Sequence, residues 1–452
     1  MGAPGVGRAG SRWAFGLTGT GLLAGAVAMM AVSAPSPRAQ ASAPPQAPVS
    51  HTAHTLASRA AQAPARLTLP APPGRYPVGT VALHLTDPSR HNPWTASPPD
   101  RQLMISVFYP AGKVAGHPAA PQMLPAAAGH FGATTARMFY RVPAGRVDWA
   151  ATRSHAHTGA PVLRRRLLWP VVLYSPGAGD DRTWSTVAAE DLASEGFAVV
   201  SIDHTYDASE VEFPGGKLAG SVLLQRLATA QKDGTVTRLL AKVVRVRVAD
   251  TRFVLDELPA LNAGQDPGAG SPPLPAGLAG SLDLREIGMF GVSGGGFTAL
   301  QTMAQDPRIK AGIDIDGTLE YTGNPTGKHL STVARHGLDR PFLLLGSPGT
   351  DRHDEPSWAS LWAHSRGWHA DLTLPGSDEN SYKDAVALIP QVARDLGLPH
   401  SFVTKDIGTV NPAAAVRAED GCVAAFFGRF LTASGRPASG APLHCAGFRA
   451  VR

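Results

Sequence analysis

The stretch IGMFGVSGGGFTAL, residues 287–300, decides the fold of this chain. Its apolar opening, 287–292, is too short for a helix and predicts a buried strand. The residues that follow have apolar side chains spaced like the buried side of a helix: Phe297, Ala299, Leu300 and Met303. Between them lies Gly-x-Ser-x-Gly, residues 291–295. The context of strand, sharp turn and helix predicts strained backbone and an exposed hydroxyl at Ser293.

The same motif predicts a nucleophile. Flanking glycines leave room for strand and helix to cross closely, and the helix N-terminus directs N–H groups at anything bound to Ser293. The pattern alone is weak, because the chain contains 49 glycines. A glycine-rich turn that merely holds a serine is therefore the alternative. The strand before the motif and the helix after it favour the nucleophile.

The rest of the chain alternates strands and helices, which predicts a mainly parallel, doubly wound α/β sheet. The predicted strands are 81–86, 103–109, 169–174, 197–202, 287–292, 309–315, 341–345 and 370–374. The predicted helices, besides the one after Ser293, are 186–194, 236–258, 357–365, 382–396 and 411–431. Residues 111–160 have no clear periodicity and are expected to cross the surface or to form part of a lid. Chemistry in such sheets lies at the carboxyl ends of the strands.

The N-terminus predicts export. Residues 1–41 combine Arg8 and Arg12 with a mostly apolar stretch at 13–32 and a small-residue cleavage site at 39–41, with 32–34 as a second candidate site. An uncleaved anchor is the alternative, since the apolar stretch is nearly long enough to span a bilayer. The Ala/Pro-rich residues 42–65 are interpreted as a disordered linker. Residues 66–452 are then expected to form one large α/β domain, and the mature protein is expected to be extracellular, with no membrane span.

The charge argues against a nucleic-acid partner, and the cysteine content favours one disulfide over a metal site. The net charge of +6 falls to +3 when the three arginines of residues 1–41 are removed, which is too little to indicate a nucleic-acid partner. Cys422 and Cys445 are the two cysteines, and an exported chain would join them in a disulfide worth roughly 3 kcal/mol. Free or metal-bound thiols are the alternative, but His444 is the only nearby histidine and leaves a metal site one ligand short.

A serine nucleophile needs a base, an orienting carboxylate and two N–H donors for the oxyanion. The donors are predicted at Gly294, directly after the serine, and at Ala178 in the glycine turn 177–179. A plain glycine connection is the alternative for that turn. The carboxylate is predicted at Asp316, at the tip of the next strand, although Asp314 stays open and Asp316 could simply cap the loop.

Five sequence segments, taken in chain order, together resemble those of a known protein family: YSPGAG at 174–179, EDLASEGF at 190–197, SIDH at 201–204, GVSGG at 291–295 and IDIDG at 313–317. Together they resemble the platelet-activating factor acetylhydrolase-like family of α/β-hydrolases, above all its secreted bacterial members, which are also similar to polyester-degrading cutinases and lipases. The resemblance covers about residues 67–431. It implies Ser293 as nucleophile, Asp316 as triad acid, and Ala178 with Gly294 as the oxyanion hole.

Two positions depart from the family pattern. Pro176 stands where the family has a histidine in the oxyanion turn, a small change because the donor is a backbone N–H. Glu379 stands where the family has its catalytic histidine, and there is no histidine from 370 to 399. A glutamate titrates near 4.3 and would face Asp316 as a like charge, so it is a poor base at neutral pH.

Three hypotheses for the base follow. His353, after the preceding strand, could act from another loop, since geometry and not chain position defines a triad. Glu379 could itself act with a pKa raised by burial, or the chain could have lost most of its turnover. His353 could equally be a surface residue. The other histidines are weaker candidates: His204 could only bridge loops, His369 lies at the wrong end of its strand, and His155 with His157 is a weak metal signal.

The sequence thus predicts a secreted serine carboxylester hydrolase, a lipase or esterase that works through an acyl-enzyme on Ser293. The resemblance implies a short-acyl ester or lipid as the small-molecule substrate. The mechanism needs neither a metal nor an organic cofactor. A non-catalytic binding protein is the alternative, because Glu379 replaces the histidine. Acyl-chain preference and oligomeric state stay open.

Overall fold

A computed structural model describes residues 63–268, 270–432 and 443–452. The predicted signal segment 1–41 and the predicted linker up to residue 62 lie outside the described residues. No helix among the described residues is long and apolar enough to cross a membrane.

The described residues form an 11-stranded sheet in the order β13-β12-β11-β10-β9-β5-β6-β2-β1-β4-β3, with β7 and β8 as a separate hairpin. The strands are β1 Val78–His91, β2 Asp100–Pro110, β3 Ala119–Pro121, β4 Arg153–Thr158, β5 Trp169–Ser175, β6 Ala198–Asp203, β7 Glu210–Phe213, β8 Lys217–Gly220, β9 Leu282–Val292, β10 Ile309–Ile315, β11 Phe342–Gly346, β12 His369–Thr373 and β13 Arg449–Ala450. The run from β12 to β6 is parallel, while β2 pairs with β6 and β1 antiparallel. The predicted doubly wound, mainly parallel sheet is confirmed.

Helices cover both faces of this sheet. They are α1 Pro125–His130, α2 Ala136–Tyr140, α3 Thr186–Glu195, α4 Leu223–Lys232, α5 Val236–Asn262, α6 Gly294–Gln305, α7 Thr332–His336, α8 Pro356–His364, α9 Ala385–Leu396, α10 His400–Ile407 and α11 Pro412–Leu431. Alternate side chains of each central strand enter opposite cores, as a two-residue period requires. In β5, Val171 and Leu173 pack on the side of α5 and α6, whereas Val172 and Tyr174 pack on the side of α3 and α11.

Residues 111–160 are more ordered than the sequence indicated. They contain β3, β4 and two short helices, and their aromatic side chains pack with Trp184 from the loop after β5: Phe131, Tyr140 and Trp149. The Trp184 Nε1 donates to the Tyr140 hydroxyl at 2.7 Å. The sequence did not reveal this cluster, because the segment has scattered Gly and Pro and because the contacts join aromatic residues far apart in sequence.

The C-terminus closes the edge of the sheet. A disulfide joins Cys422 of α11 to Cys445, which confirms the predicted pairing. Beyond it, β13 pairs antiparallel with β12, with Ala450 opposite Leu372. The paired strand therefore covers backbone groups that an edge strand would otherwise expose.

Candidate active site

The turn between β9 and α6 gives Ser293 a strained backbone. Its φ is 55° and its ψ is −121°, a region that residues with side chains rarely adopt. The Ser293 N–H donates to the carbonyl oxygen of Ile315 at 2.7 Å, which fixes the turn to the end of β10. The residue exposes 6% of its surface, less than predicted, since the loops after β5 and β10 close around it.

Close packing explains the glycines of the motif. A Cβ placed on Gly295 would lie 1.9 Å from the Ser175 carbonyl oxygen, and one on Gly291 would lie 2.4 Å from the carbonyl carbon of Gly295. A side chain at either position would therefore push β5, β9 and α6 apart. The predicted close crossing of strand and helix is present.

Asp316 lies at the end of β10, beside the serine turn, with a φ of 54°. Its Oδ1 accepts hydrogen bonds of 2.9 Å from both the backbone N–H and the hydroxyl of Ser347, after β11. The hydroxyl also lies 2.8 Å from Oδ2. The carboxylate is half-buried and held from behind, a position suited to orienting or polarising a neighbouring group.

Asp314 occupies a different environment. It is fully buried, and it accepts from the Gly317 N–H at 3.1 Å and from the Trp358 Nε1 at 3.2 Å. Burial raises the pKa of Asp314 well above its usual range. A Cβ on Gly296 would lie 1.8 Å from its Oδ1, so this glycine makes room for the side chain. The surroundings give Asp314 a structural role and leave Asp316 as the better candidate acid.

The turn after β5 brings Ala178 to the start of α6. A Cβ placed on Gly294 would lie 3.3 Å from the Ala178 nitrogen, so the two predicted oxyanion donors are adjacent. In the same turn, the Asp180 N–H donates to the Gly177 carbonyl at 3.1 Å, and the Gly179 N–H donates to Asp207 at 3.0 Å. These bonds leave the Ala178 N–H without a partner among the described residues, as an oxyanion donor requires.

Arg247, from the middle of α5, holds this turn from behind. Its Nη1 lies 2.6 Å from the Pro176 carbonyl oxygen and its Nη2 lies 2.9 Å from that of Gly177. The guanidinium also pairs with Asp207 through bonds of 2.7 and 2.6 Å. Both side chains are buried, so a fully paired ionic group fixes the backbone that carries Ala178.

A second buried chain of hydrogen bonds supports the same loop. The His204 Nε2 lies 2.9 Å from the Ser175 hydroxyl, and its Nδ1 lies 3.1 Å from Asp250. Asp250 in turn accepts from Arg101 at 2.6 Å. Burial and the charge of Arg247 lower the pKa of His204, which keeps the ring neutral. His204 therefore bridges loops, as one of the sequence interpretations had it.

Glu379 begins a short 3₁₀ turn after β12 and is tied to a cation. Its Oε1 lies 3.1 Å from the Lys383 Nζ, which lies 2.8 Å from Oδ2 of Asp180 in the oxyanion turn. Burial raises the pKa of Glu379, and the like charges of Asp316 and Asp180 add to that rise, while Lys383 opposes it. Lys383 thus links Glu379 to the oxyanion turn, and Asp316 lies close enough to act on Glu379 as a like charge.

His353 is placed elsewhere. It is exposed, and its Nε2 lies 2.9 Å from the carbonyl oxygen of Arg452 at the C-terminus. No described contact joins it to Asp316 or Ser293, so the structure does not bring the predicted substitute base to the site. The His155 and His157 rings bond to the carbonyl oxygens of Leu69 and His117, and the described residues contain no group of three or more side chains suited to a metal.

Sequence reasoning missed four residues of this site: Asp207, Arg247, Ser347 and Lys383. One of them left a signal, because Arg247 falls four residues after Val243 on the apolar face of α5. A charged residue on a buried helix face needs a partner, which points to a buried ion pair. The other three lie in or after loops, where no period marks them.

Comparison with known proteins identifies the family. The profile of the family described as "Platelet-activating factor acetylhydrolase, isoform II" matches residues 62–325. A probable 1-alkyl-2-acetylglycerophosphocholine esterase of Arthroderma benhamiae is 30% identical over 355 residues, which are 73% of this chain and 79% of that protein. The chain belongs to this family. The predicted resemblance is confirmed, and membership places the chain among carboxylic ester hydrolases.

Two further relatives extend the comparison. The platelet-activating factor acetylhydrolase of Bos taurus is 28% identical over 188 residues, 39% of each chain. The solved structure of a ferulic acid esterase from Streptomyces cinnamoneus superposes with a TM-score of 0.63 at 32% identity, covering 85% of this chain and 99% of that one. The predicted α/β-hydrolase fold is confirmed. The family profile ends before β11, so it includes Ser293 and Asp316 but not the loop that holds Glu379.

Proposed function

We propose that this acetylhydrolase-family protein is an exported serine carboxylester hydrolase that cleaves short-acyl esters or lipids through an acyl-enzyme on Ser293. The strained serine turn supports the proposal most directly. The backbone at Ser293 is strained, with a φ of 55°, and the next residue, Gly294, lies beside Ala178, the other predicted oxyanion donor. Such strain persists where the surrounding structure over-determines it, and it is typical of nucleophiles on this fold.

In the first half of the reaction, the Ser293 Oγ attacks the ester carbonyl carbon and its proton passes to the base. The negative charge that develops on the carbonyl oxygen is stabilised by the Ala178 and Gly294 N–H groups. Collapse breaks the bond to the alcohol, which leaves with the proton. Water then attacks the acyl-enzyme, the base accepts its proton, and Ser293 is released with the carboxylic acid.

Glu379 takes the place of the imidazole in this scheme. A partly buried carboxylate near the like charges of Asp316 and Asp180 holds a proton more tightly than an isolated exposed one, which makes it a better base. Asp316 then acts electrostatically, by raising the proton affinity of its neighbour. Lys383 keeps Glu379 in position but weakens it as a base, because the ammonium stabilises the charged form. We therefore expect slower turnover than in a hydrolase whose general base is a histidine.

The names of the relatives support the substrate class. One acts on 1-alkyl-2-acetylglycerophosphocholine and another on ferulic acid esters, and both substrates have an ester bond to a carboxylic acid. Export is supported by the charged, then apolar, then small-residue order of residues 1–41.

Hydrolysis of 4-nitrophenyl acetate by the wild type, Ser293→Ala and the control Ser401→Ala tests the proposal. Ser401 is an exposed serine of α10, far along the chain from the site. We expect turnover by the wild type and by the control, and loss of turnover in Ser293→Ala. Equal rates for all three proteins at the background level would favour the alternative, a protein that binds ligands in an inactive site because Glu379 replaces the histidine.

A further inference from the structure

A basic groove lies between α4 and α5. It encloses about 700 Å³, and four cationic side chains line it: Arg226, Arg238, Lys242 and Arg245. The three cations of α5 are spaced four and three residues apart, so they share one face of that helix. Arg226 enters from α4.

Acidic partners for these cations are absent from the described part of the chain. None of the four forms an ion pair there, and the two internal bonds go to carbonyl oxygens: Lys242 to Pro93 at 2.7 Å, and Arg226 to Trp94 at 3.2 Å. Burial lowers the pKa of Lys242, and the charges of Arg226 and Arg245 lower it further. Cations gathered in a concave surface repel one another and concentrate anions from solution.

An indole donor adds to this groove. Trp94 is 4% exposed and lines the groove, and within the described residues its Nε1 has no hydrogen-bond partner. The Lys242 ammonium lies 4.6 Å from the centre of its ring. A buried indole N–H usually finds a partner, so this one is an additional donor available to a ligand oxygen.

Part of the groove wall belongs to a hydrophobic cluster that also meets the oxyanion turn. Val222 and Leu239 line the groove and pack in the same apolar cluster as Trp94, and Ala178 of the oxyanion turn packs against that cluster as well. The groove and the predicted oxyanion turn therefore border the same hydrophobic cluster. A ligand that is anionic at one end and apolar along its length fits this arrangement.

We propose that the groove between α4 and α5 binds the anionic end of the ester substrate, with Arg238, Lys242 and Arg245 contacting an oxyanion such as a carboxylate. The apolar part of the substrate lies over Val222 and Leu239, and its ester bond reaches Ser293. This inference rests on the proposed hydrolase activity and gives it a preferred substrate class, esters that carry a separate negative charge.

The test compares two esters of similar shape, 4-nitrophenyl valerate and mono-4-nitrophenyl glutarate, whose acyl chain ends in a carboxylate. The proteins are the wild type, the double variant Arg238→Gln/Arg245→Gln, and the control Arg166→Gln/Arg366→Gln. The groove arginines of the double variant make no internal hydrogen bond, and those of the control are exposed and outside the groove, with the same loss of charge.

We expect the wild type and the control to favour the glutarate ester in kcat/KM. In the groove variant, this preference should fall about fivefold, because two exposed ion pairs with the substrate are removed. The variant should still hydrolyse the valerate ester at the wild-type rate. Added NaCl should lower the preference of the wild type in the same way. No preference in the wild type, an unchanged preference in the groove variant, or an equal loss in the control would overturn the proposal.

Calorimetric titration with hexanoate separates the groove from the hydrolase activity. If the wild type cleaves neither ester, the proposed function fails, and the titration decides the groove alone. Binding of hexanoate to the wild type and the control, weakened in the groove variant, would support the anion site. Equal or undetectable heats for all three proteins would overturn it.

Discussion

The Arg247 guanidinium lies 2.6 Å from the carbonyl oxygen of Pro176, and this contact joins the long helix α5 to the oxyanion turn. Pro176 has no N–H of its own, so its carbonyl is the group through which the turn can be held at this point. Arg247 also donates to the next carbonyl oxygen, that of Gly177, and Asp207 accepts from the Gly179 N–H. The orientation of the Ala178 N–H therefore depends on a buried ion pair behind it.

Replacing this pair should lower kcat more than it raises KM. We expect the double variant Arg247→Met/Asp207→Asn to lose about tenfold to a hundredfold in kcat, because oxyanion donors stabilise the transition state more than bound substrate. Steady-state kinetics with 4-nitrophenyl acetate measures the split. Arg247→Lys keeps the charge but loses the fork geometry, so its kcat should lie between those of the wild type and the double variant. A change in KM alone would contradict the positioning role.

A histidine at position 379 should increase turnover. We expect Glu379→His to raise kcat/KM by about a hundredfold, since an imidazole titrates near the working pH and general-base catalysis is worth 10²–10⁴-fold. Glu379→Gln, which keeps the size but cannot accept the proton, should be slower than the wild type. If the glutamine variant matched the wild type, Glu379 would not be the base.

The pH profile should identify the titrating base. Burial raises the pKa of Glu379, and its carboxylate is the active form, so kcat/KM should fall as pH drops through that raised pKa and level off above it. In Glu379→His the acid limb should move towards about 6.5, the usual pKa of histidine. An identical profile for both proteins would show that a different group titrates.

Buried carboxyl groups between α3, α9 and α11 should make the protein less stable in alkali. Burial raises the pKa of Glu419 to about 8 and that of Asp191 to about 7. The folded state then keeps protons that the unfolded state releases, so stability falls as pH rises from the unfolded pKa, about 4.3 for Glu419, to the folded one. Glu419→Gln should therefore melt several degrees above the wild type at pH 9 and close to it at pH 4.

The control for this prediction is Asp233→Asn, an exposed acid after α4. It removes one negative charge without changing a buried group, so its melting temperature should follow that of the wild type at both pH values. A parallel shift of the two variants at pH 9 would assign the effect to net charge.

The fold was largely predictable because its strands are short apolar segments bounded by turns. The bounds of β10 were predicted to the residue, and Ser293 and Asp316 fall at adjacent strand ends, as a parallel sheet requires. Contacts such as that between Lys383 and Asp180 were not predictable, since they join loops far apart in sequence. The bond between His353 and the Arg452 carbonyl was not predictable either, because the two residues are 99 positions apart in the chain.

The proposed mechanism requires that Ser293 is an activated nucleophile. A fluorophosphonate reacts with activated serines and leaves a stable phosphonyl group, so mass spectrometry of the digested protein locates the reactive residue. We predict one adduct, on the peptide that contains Ser293, forming faster in Glu379→His and absent from Ser293→Ala. An unmodified protein, or an adduct on another residue that persists in Ser293→Ala, would contradict the account.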